Sequence, residues 1–194
     1  HALVRRQRQM CIRDSLGTVG GGTLSLLERN AALITARAGC PIRVTNVATR
    51  TPKPDLCGQV AQTGSDPLAV ASDPGVDVVV ETMGGYDAAF EVIKRALSNG
   101  KHVVTANKAL IAERGNELFA LASANEVTLA FESAVAGGIP IIKALREGLA
   151  ANDIDWLAGI INGTGNFILS EMSAKQSEFS EVLQQAQDLS LIHI

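Results

Sequence analysis

Apolar residues recur along this chain with two different periods. Short apolar runs of the strand type alternate with longer stretches whose apolar residues return every three to four positions, as on a helix. Residues 23–33 place Leu24, Leu26, Leu27, Ala31 and Leu33 at helical spacing. Residues 42–48, with Ile42, Val44 and Val47, read as a strand. Residues 50–67 hold Pro52, Pro54 and Pro67 with Gly58 and Gly64, which predicts a loop with at most a short strand. Residues 76–80, with Val78, Val79 and Val80 in succession, have the pattern of a parallel strand buried on both faces. Residues 86–99 predict a helix with Ala89, Ile93, Ala96 and Leu97 on one face and Gly100 as its stop. A strand over 103–105, a helix over 109–123 and a strand over 127–131 follow. Gly137-Gly138-Ile139-Pro140 opens a helix to about residue 150, with Pro140 near its first turn. Residues 156–161 read as a strand, and 165–188 as helix in two pieces.

Strand and helix alternate up to about residue 134, the signature of an α/β fold with a doubly wound parallel sheet. From about 135 the pattern changes to helix, strand and helices, the start of an α+β region that these residues leave incomplete. Apolar residues are 46% of the 194, enough for a true core. The formal charge of -3 builds no field that would attract nucleic acid. No apolar run approaches the about 18 residues of a membrane span, and no secretory leader is recognisable. Cys11, Cys40 and Cys57 form no C-x-x-C and no metal-type cluster, so the cytoplasm is the expected compartment.

The chemistry gathers where strands end. In Gly100-Lys101-His102-Val103-Val104-Thr105-Ala106-Asn107-Lys108-Ala109-Leu110, a strand runs directly into Thr105, Asn107 and Lys108. Open α/β sheets bind ligands outside the carboxyl ends of their strands, so this places a hydroxyl, an amide and an ammonium at the crevice. Such a lysine can hold a carbonyl oxygen or pass a proton; alone, it reads rather as an ordinary solvated lysine in a first helical turn, and it is the neighbouring residues that favour the functional reading. Leu16-Gly17-Thr18-Val19-Gly20-Gly21-Gly22 is a partial G-x-G-x-x-G, with Gly17 and Gly20 in the second and third positions and Ser15 in the first. The second glycine admits a pyrophosphate and the third lets helix and strand pack closely; the alternative is a plain glycine turn. Ahead of the loop, Arg5, Arg6, Arg8, Arg13 and Asp14 contradict a buried central strand. Residues 1–15 are therefore expected to be non-native or disordered, outside the fold. After residues 42–48 no acid stands where a ribose hydroxyl of NAD would be held, whereas Arg50 and Lys53 can pair with a 2′-phosphate and favour NADP, or be ordinary loop cations.

Five segments together carry a resemblance. They are Leu16-Gly17-Thr18-Val19-Gly20, Glu81-Thr82-Met83-Gly84-Gly85-Tyr86, the 100–110 segment, Phe131-Glu132-Ser133-Ala134-Val135-Ala136-Gly137-Gly138-Ile139-Pro140, and Gly159-Ile160-Ile161-Asn162-Gly163-Thr164-Gly165-Asn166-Phe167-Ile168. In order and spacing they resemble bacterial homoserine dehydrogenase, over about residues 16–188. The resemblance implies a Rossmann-like NAD(P)-binding domain over 16–134 and an incomplete catalytic and dimerisation domain over 135–194. It implies reversible NAD(P)H-dependent reduction of L-aspartate 4-semialdehyde to L-homoserine, a step in threonine, methionine and isoleucine synthesis.

By the same resemblance, Lys108 is a catalytic lysine that also lies at the cofactor. Gly17, Thr18, Val19 and Gly20 lie against the pyrophosphate, Arg50 near the adenosine ribose, and Thr105 near the nicotinamide end. Asn162, Gly163 and Thr164 match the loop lining the substrate pocket, although alone they read as a turn into a helix. Oxygens of Glu132, Val135, Gly137 and Ile139 match a site for Na⁺, suited by hard ligands; the alternative is a glycine-rich helix entry with no ion. A homodimer or homotetramer is implied. After Gln187-Asp188-Leu189 the family continues into an acidic segment bearing a second lysine, whereas this chain reads Ser190-Leu191-Ile192-His193-Ile194. The expectation is an internal fragment with little or no activity of its own. Rival readings are another oxidoreductase acting on a small amino acid or sugar, and a non-catalytic nucleotide-binding fragment.

Overall fold

The computed structural model describes residues 8–13, 18–49, 60, 62–159 and 162–188. Packing divides the chain into two units, His1–Ala144 and Leu145–Ile194. The division falls later than the expected 134/135. Both carboxylate oxygens of Glu132 accept main-chain N–H groups, from Ile142 at 2.8 Å and Lys143 at 3.0 Å, which ties the stretch after 134 to the first unit.

The first unit is a parallel sheet of the order β3-β2-β1-β4-β5-β6. Its strands are β1 (Arg8–Arg13), β2 (Ile42–Ala48), β3 (Gln62–Gly64), β4 (Val78–Glu81), β5 (His102–Thr105) and β6 (Leu129–Ala130). Its helices are α1 (Thr18–Arg29), α2 (Ala31–Ala38), α3 (Pro67–Ser72), α4 (Asp87–Ser98), α5 (Lys108–Ala124), α6 (Glu132–Ala136) and α7 (Ile141–Lys143). This is the doubly wound α/β class that the sequence predicts, with the reversal of strand order between β1 and β4.

β1 corrects one expectation. Residues 8–13, in a segment expected to be non-native or disordered, are not disordered: they pair with β2 on one side and β4 on the other, Ile12 opposite both Val47 and Val80. A parallel ladder is made from main-chain N–H and C=O groups, which every residue but proline carries, so pairing does not depend on an apolar side chain. The rest of the 1–15 segment lies outside the described residues.

Successive strand residues face opposite sides of the sheet. Val79 and Ala48 join the large core formed with α3, α4 and α5, while Val80 and Val47 face the smaller core with Leu24 of α1. α4 shows why such a helix forms: Ala89, Phe90, Val92, Ile93, Ala96 and Leu97, at spacings of three and four, are all buried. Burying each large side chain among them contributes about 1.5–3 kcal/mol. Gly100 ends the turn after α4 with φ +70°, a conformation that a Cβ would strain. α3 was not predicted. Asp66 caps it, its carboxylate accepting from Leu68 and Ala69 N–H at 2.9 and 3.3 Å, and Pro67 stands at its first position.

At the amino end of the sheet Lys101 is buried. Its Nζ donates to the carbonyl oxygens of Asp73 and of Val76, the latter at 2.7 Å, and Asn46 Nδ2 donates to Asp73 Oδ2 at 2.9 Å. Burial pulls the ammonium's pKa below its ordinary value, and Asp73 and Asp77 pull it partly back.

The predicted helix over 137–150 starts late. Gly137 has φ +59° and Pro140 cannot continue a preceding helix, so helical structure resumes only at α7, which runs into a π-helical turn, Ala144–Gly148. In the second unit, α8 (Gly163–Lys175) and α9 (Phe179–Asp188) pack around Ile168, Val182 and Ala186. The strand expected over 156–161 does not form across the described residues up to 159; Trp156 is 79% and Leu157 68% exposed. No other strand stands among the described residues of this unit, and a lone strand has no ladder to join. Among the described residues no helix is long and apolar enough to cross a membrane.

Candidate active site

β1, β4 and β5 run parallel and side by side, so their carboxyl ends lie along one edge, from which α1 and α5 depart. Two loops there are knitted together by side chains of β4, β5 and Asn107. Glu81, the last residue of β4, is completely buried. Its Oε1 accepts the Met83 N–H and its Oε2 accepts the Thr105 hydroxyl proton, each at 2.5 Å. Thr105, also completely buried, accepts the Asn107 N–H on its Oγ1 at 3.0 Å. The Asn107 amide points both ways: Oδ1 accepts the Leu110 N–H at 3.1 Å and caps α5, while Nδ2 donates to the Gly85 carbonyl at 2.7 Å and to that of Met83 at 3.5 Å. Gly85, at φ +84°, makes the bend that turns its carbonyl to this amide. Ala106 N–H adds a bond to the Glu81 carbonyl at 3.1 Å.

Lys108 follows this knot as the first residue of α5 and is exposed. An exposed ammonium therefore stands on a turn in which the side chains of Thr105 and Asn107 are buried and bonded. Thr105, expected near the nicotinamide end, faces inward with no surface of its own. Thr18 opens α1; Val19 in the next position is exposed and Gly20 is buried. The first turn of α1 holds no acidic residue, and the start of a helix carries N–H groups and the positive end of its dipole. Gly17 and Arg50 lie outside the described residues.

Glu132 stands in α6, and its carboxylate meets the amides of Ile142 and Lys143. Val135 and Ile139 are exposed, and the Ile139 carbonyl accepts the Ile141 N–H at 2.8 Å. Asn162, Gly163 and Thr164 belong to the second unit. Asn162 caps α8, its Oδ1 accepting the Gly165 N–H at 2.8 Å. The first unit thus brings the start of α1, Thr105 and Lys108 to one edge of the sheet, and in the second unit Asn162, Gly163 and Thr164 stand at the entry to α8. Sequence reasoning missed Glu81 as a site residue. Its signal was an acid closing the Val78–Val80 run just before Gly84-Gly85.

Comparison with known proteins converges on one family. The family model described as "Homoserine dehydrogenase, NAD binding domain" matches residues 16–132, and the "Homoserine dehydrogenase" model matches residues 140–192. The homoserine dehydrogenase of Pseudomonas aeruginosa is 59% identical over 174 residues, covering 90% of this chain and 40% of that protein. The crystal structure of a homoserine dehydrogenase from Thiobacillus denitrificans superposes with a TM-score of 0.87 at 54% identity, over 97% of this chain and 44% of that one. A hyperthermophilic archaeal homoserine dehydrogenase in complex with NADPH gives a TM-score of 0.80 at 25% identity, over 97% of this chain and 63% of that one. The chain spans about 40% of the length of the curated relatives it matches. With a sheet of this order, a lysine at this edge and a family model matching more than half its residues, the chain belongs to the homoserine dehydrogenase family.

Proposed function

We propose that these residues carry the cofactor site and part of the substrate pocket of an enzyme that interconverts L-aspartate 4-semialdehyde and L-homoserine. The observation that carries this reading is Lys108, exposed beside the carboxyl end of β5 on a turn fixed by buried bonds. A bound NADPH supplies a hydride to the aldehyde carbon. Lys108 holds the aldehyde oxygen and gives it a proton as that carbon is reduced, and takes the proton back when homoserine is oxidised. Gly17, Thr18, Val19 and Gly20 receive the pyrophosphate at the start of α1, a role that its acid-free first turn suits. Arg50 lies toward the adenosine ribose and, with Lys53, favours NADP. Asn162, Gly163 and Thr164 line the substrate pocket. In this reading 16–134 is the cofactor domain, 135–194 the beginning of the catalytic domain, the protein is cytoplasmic, and it works as a homodimer or homotetramer.

A Na⁺ held by Glu132 and the carbonyls of Val135, Gly137 and Ile139 belongs to the same reading. These are hard oxygen donors. Both carboxylate oxygens of Glu132 are engaged by amides, yet each keeps a further lone-pair site, so the donor set fits such an ion.

A matched pair of assays with homoserine and NADP⁺ tests the reading. One uses the 194-residue chain; the other uses an extended protein in which residues 16–188 replace the matching segment of the Pseudomonas aeruginosa relative. Turnover in the extended protein, with little or none in the chain alone, is expected. Turnover in neither, with NADPH still bound by the chain, would support a non-catalytic nucleotide-binding role instead.

A further inference from the structure

We propose that Glu81 is a positioning residue for Lys108, and that Thr105 and Asn107 transmit its hold. The proposal rests on the reading of Lys108 as the proton donor. A carboxyl group at the end of a central strand, with no accessible surface, is a costly choice where valine or leucine would serve the sheet. What it provides is direction. A threonine hydroxyl has one proton to give, and Glu81 Oε2 takes it. The Thr105 oxygen is thereby left as an acceptor, and the Asn107 N–H fills that place.

Glu81 Oε1 meanwhile draws the Met83 N–H inward, which sets the loop whose Gly85 carbonyl receives Asn107 Nδ2. Asn107 is thus gripped from both loops, and the residue after it is Lys108. Glu81 and Thr105 have no surface from which to touch a ligand, and their bonds to Met83 and Asn107 connect them to the turn that carries Lys108.

Glutamine at position 81 breaks this logic while preserving shape. Its oxygen can accept the Met83 N–H, but its amide group then donates to Thr105. The hydroxyl proton loses its acceptor while its oxygen receives two donors. Serine at 105 keeps the hydroxyl; valine removes it and leaves the Asn107 N–H unpaired.

In the extended protein, E81Q and T105V should each lower kcat about tenfold to a hundredfold, the scale of a misplaced reacting group. NADPH affinity should stay within about twofold, because neither side chain has any exposed surface. T105S should restore most of the rate. In a Lys108→Ala background E81Q should cost nothing more, since the group it positions is gone. An undiminished effect of E81Q without Lys108, or NADPH affinity lost in T105V, would overturn the proposal. A second measurement is independent of turnover: amide hydrogen exchange by NMR on the 194-residue chain. E81Q should speed exchange at Asn107 and Leu110 about tenfold while leaving Ile93 unchanged. Unchanged exchange at Asn107 and Leu110 would overturn the proposal. Faster exchange there, in a protein whose unsubstituted extended form never oxidises homoserine, would uphold the hold on the turn and remove the functional reading instead.

Discussion

Replacing Asn107 by alanine removes the Leu110 N–H acceptor at 3.1 Å and the donor to the Gly85 carbonyl at 2.7 Å, while the main-chain bond to Thr105 survives. Loss of a helix N-cap costs about 1 kcal/mol. The stranded carbonyl adds roughly another 1 kcal/mol, the low end for an unpaired acceptor, because Gly85 is itself exposed and can recruit water. The expected total is about 2 kcal/mol, which at a urea slope of roughly 1–3 kcal/mol per molar lowers the unfolding midpoint by about 1 M. Asn107→Asp separates the two roles. A carboxylate keeps the cap and gains roughly 0.3–1 kcal/mol from the helix dipole, yet it presses an anionic oxygen against the Gly85 carbonyl. N107D should therefore also be destabilised, though its capping is intact. Urea unfolding of the 194-residue chain followed by far-UV circular dichroism decides. A loss in N107A below about 0.5 kcal/mol, or an N107D at least as stable as the parent, would refute the account of Asn107 as a tie between two loops.

Lys108→Met in the extended protein should reduce kcat by about 10² to 10⁴ with NADPH binding retained, as for loss of a proton donor; a reduction under tenfold in steady-state kinetics would remove Lys108 from that role. The depressed pKa of Lys101 means that, in the alkaline range between its folded value and the ordinary lysine value near about 10.4, the unfolded chain binds more protons. Its contribution to stability therefore grows as pH rises through that range and is lost as pH falls through the folded value. Lys101→Met should abolish this slope, and parallel stability curves for parent and variant would contradict it. Ile93→Ala, at a position with no exposure, should cost about 2–5 kcal/mol. Glu91→Ala, exposed on the same helix, should stay within about 0.5 kcal/mol, with calorimetry or urea melts reading both.

Legibility in the sequence followed how much of each element's cause is local. Residues 42–48 and the helix before Gly100 were readable because alternation and helical spacing are written into the residues that form them. α3 was hidden inside a proline-rich stretch, although Asp66-Pro67 is itself a helix-start signal. β1 was not legible because its arginines do not suit a buried strand, whereas its ladder is made by the main chain, which every sequence shares. The strand expected at 156–161 is absent over its described residues 156–159 for the opposite reason: those residues suit a strand, but pairing needs a neighbour that no local pattern can supply. At the site, Lys108 was visible from its place after a strand. The inward turn of Thr105 and the part played by Glu81 were not, since both depend on a bond between residues far apart in sequence.

The place of β1 in the sheet has a consequence for how the chain comes together during synthesis. Residues 8–13 leave the ribosome before either neighbour, yet among the described residues the strand order makes them the bridge between β3-β2 and β4-β5-β6. Ile12 meets Val47 only after the first connection between strands, and Val80 only after the third. Long-range parallel pairings of this kind are slow to find. β1 therefore keeps one edge open after β2 is available to it, and the two halves of the sheet are joined only once β4 has been made.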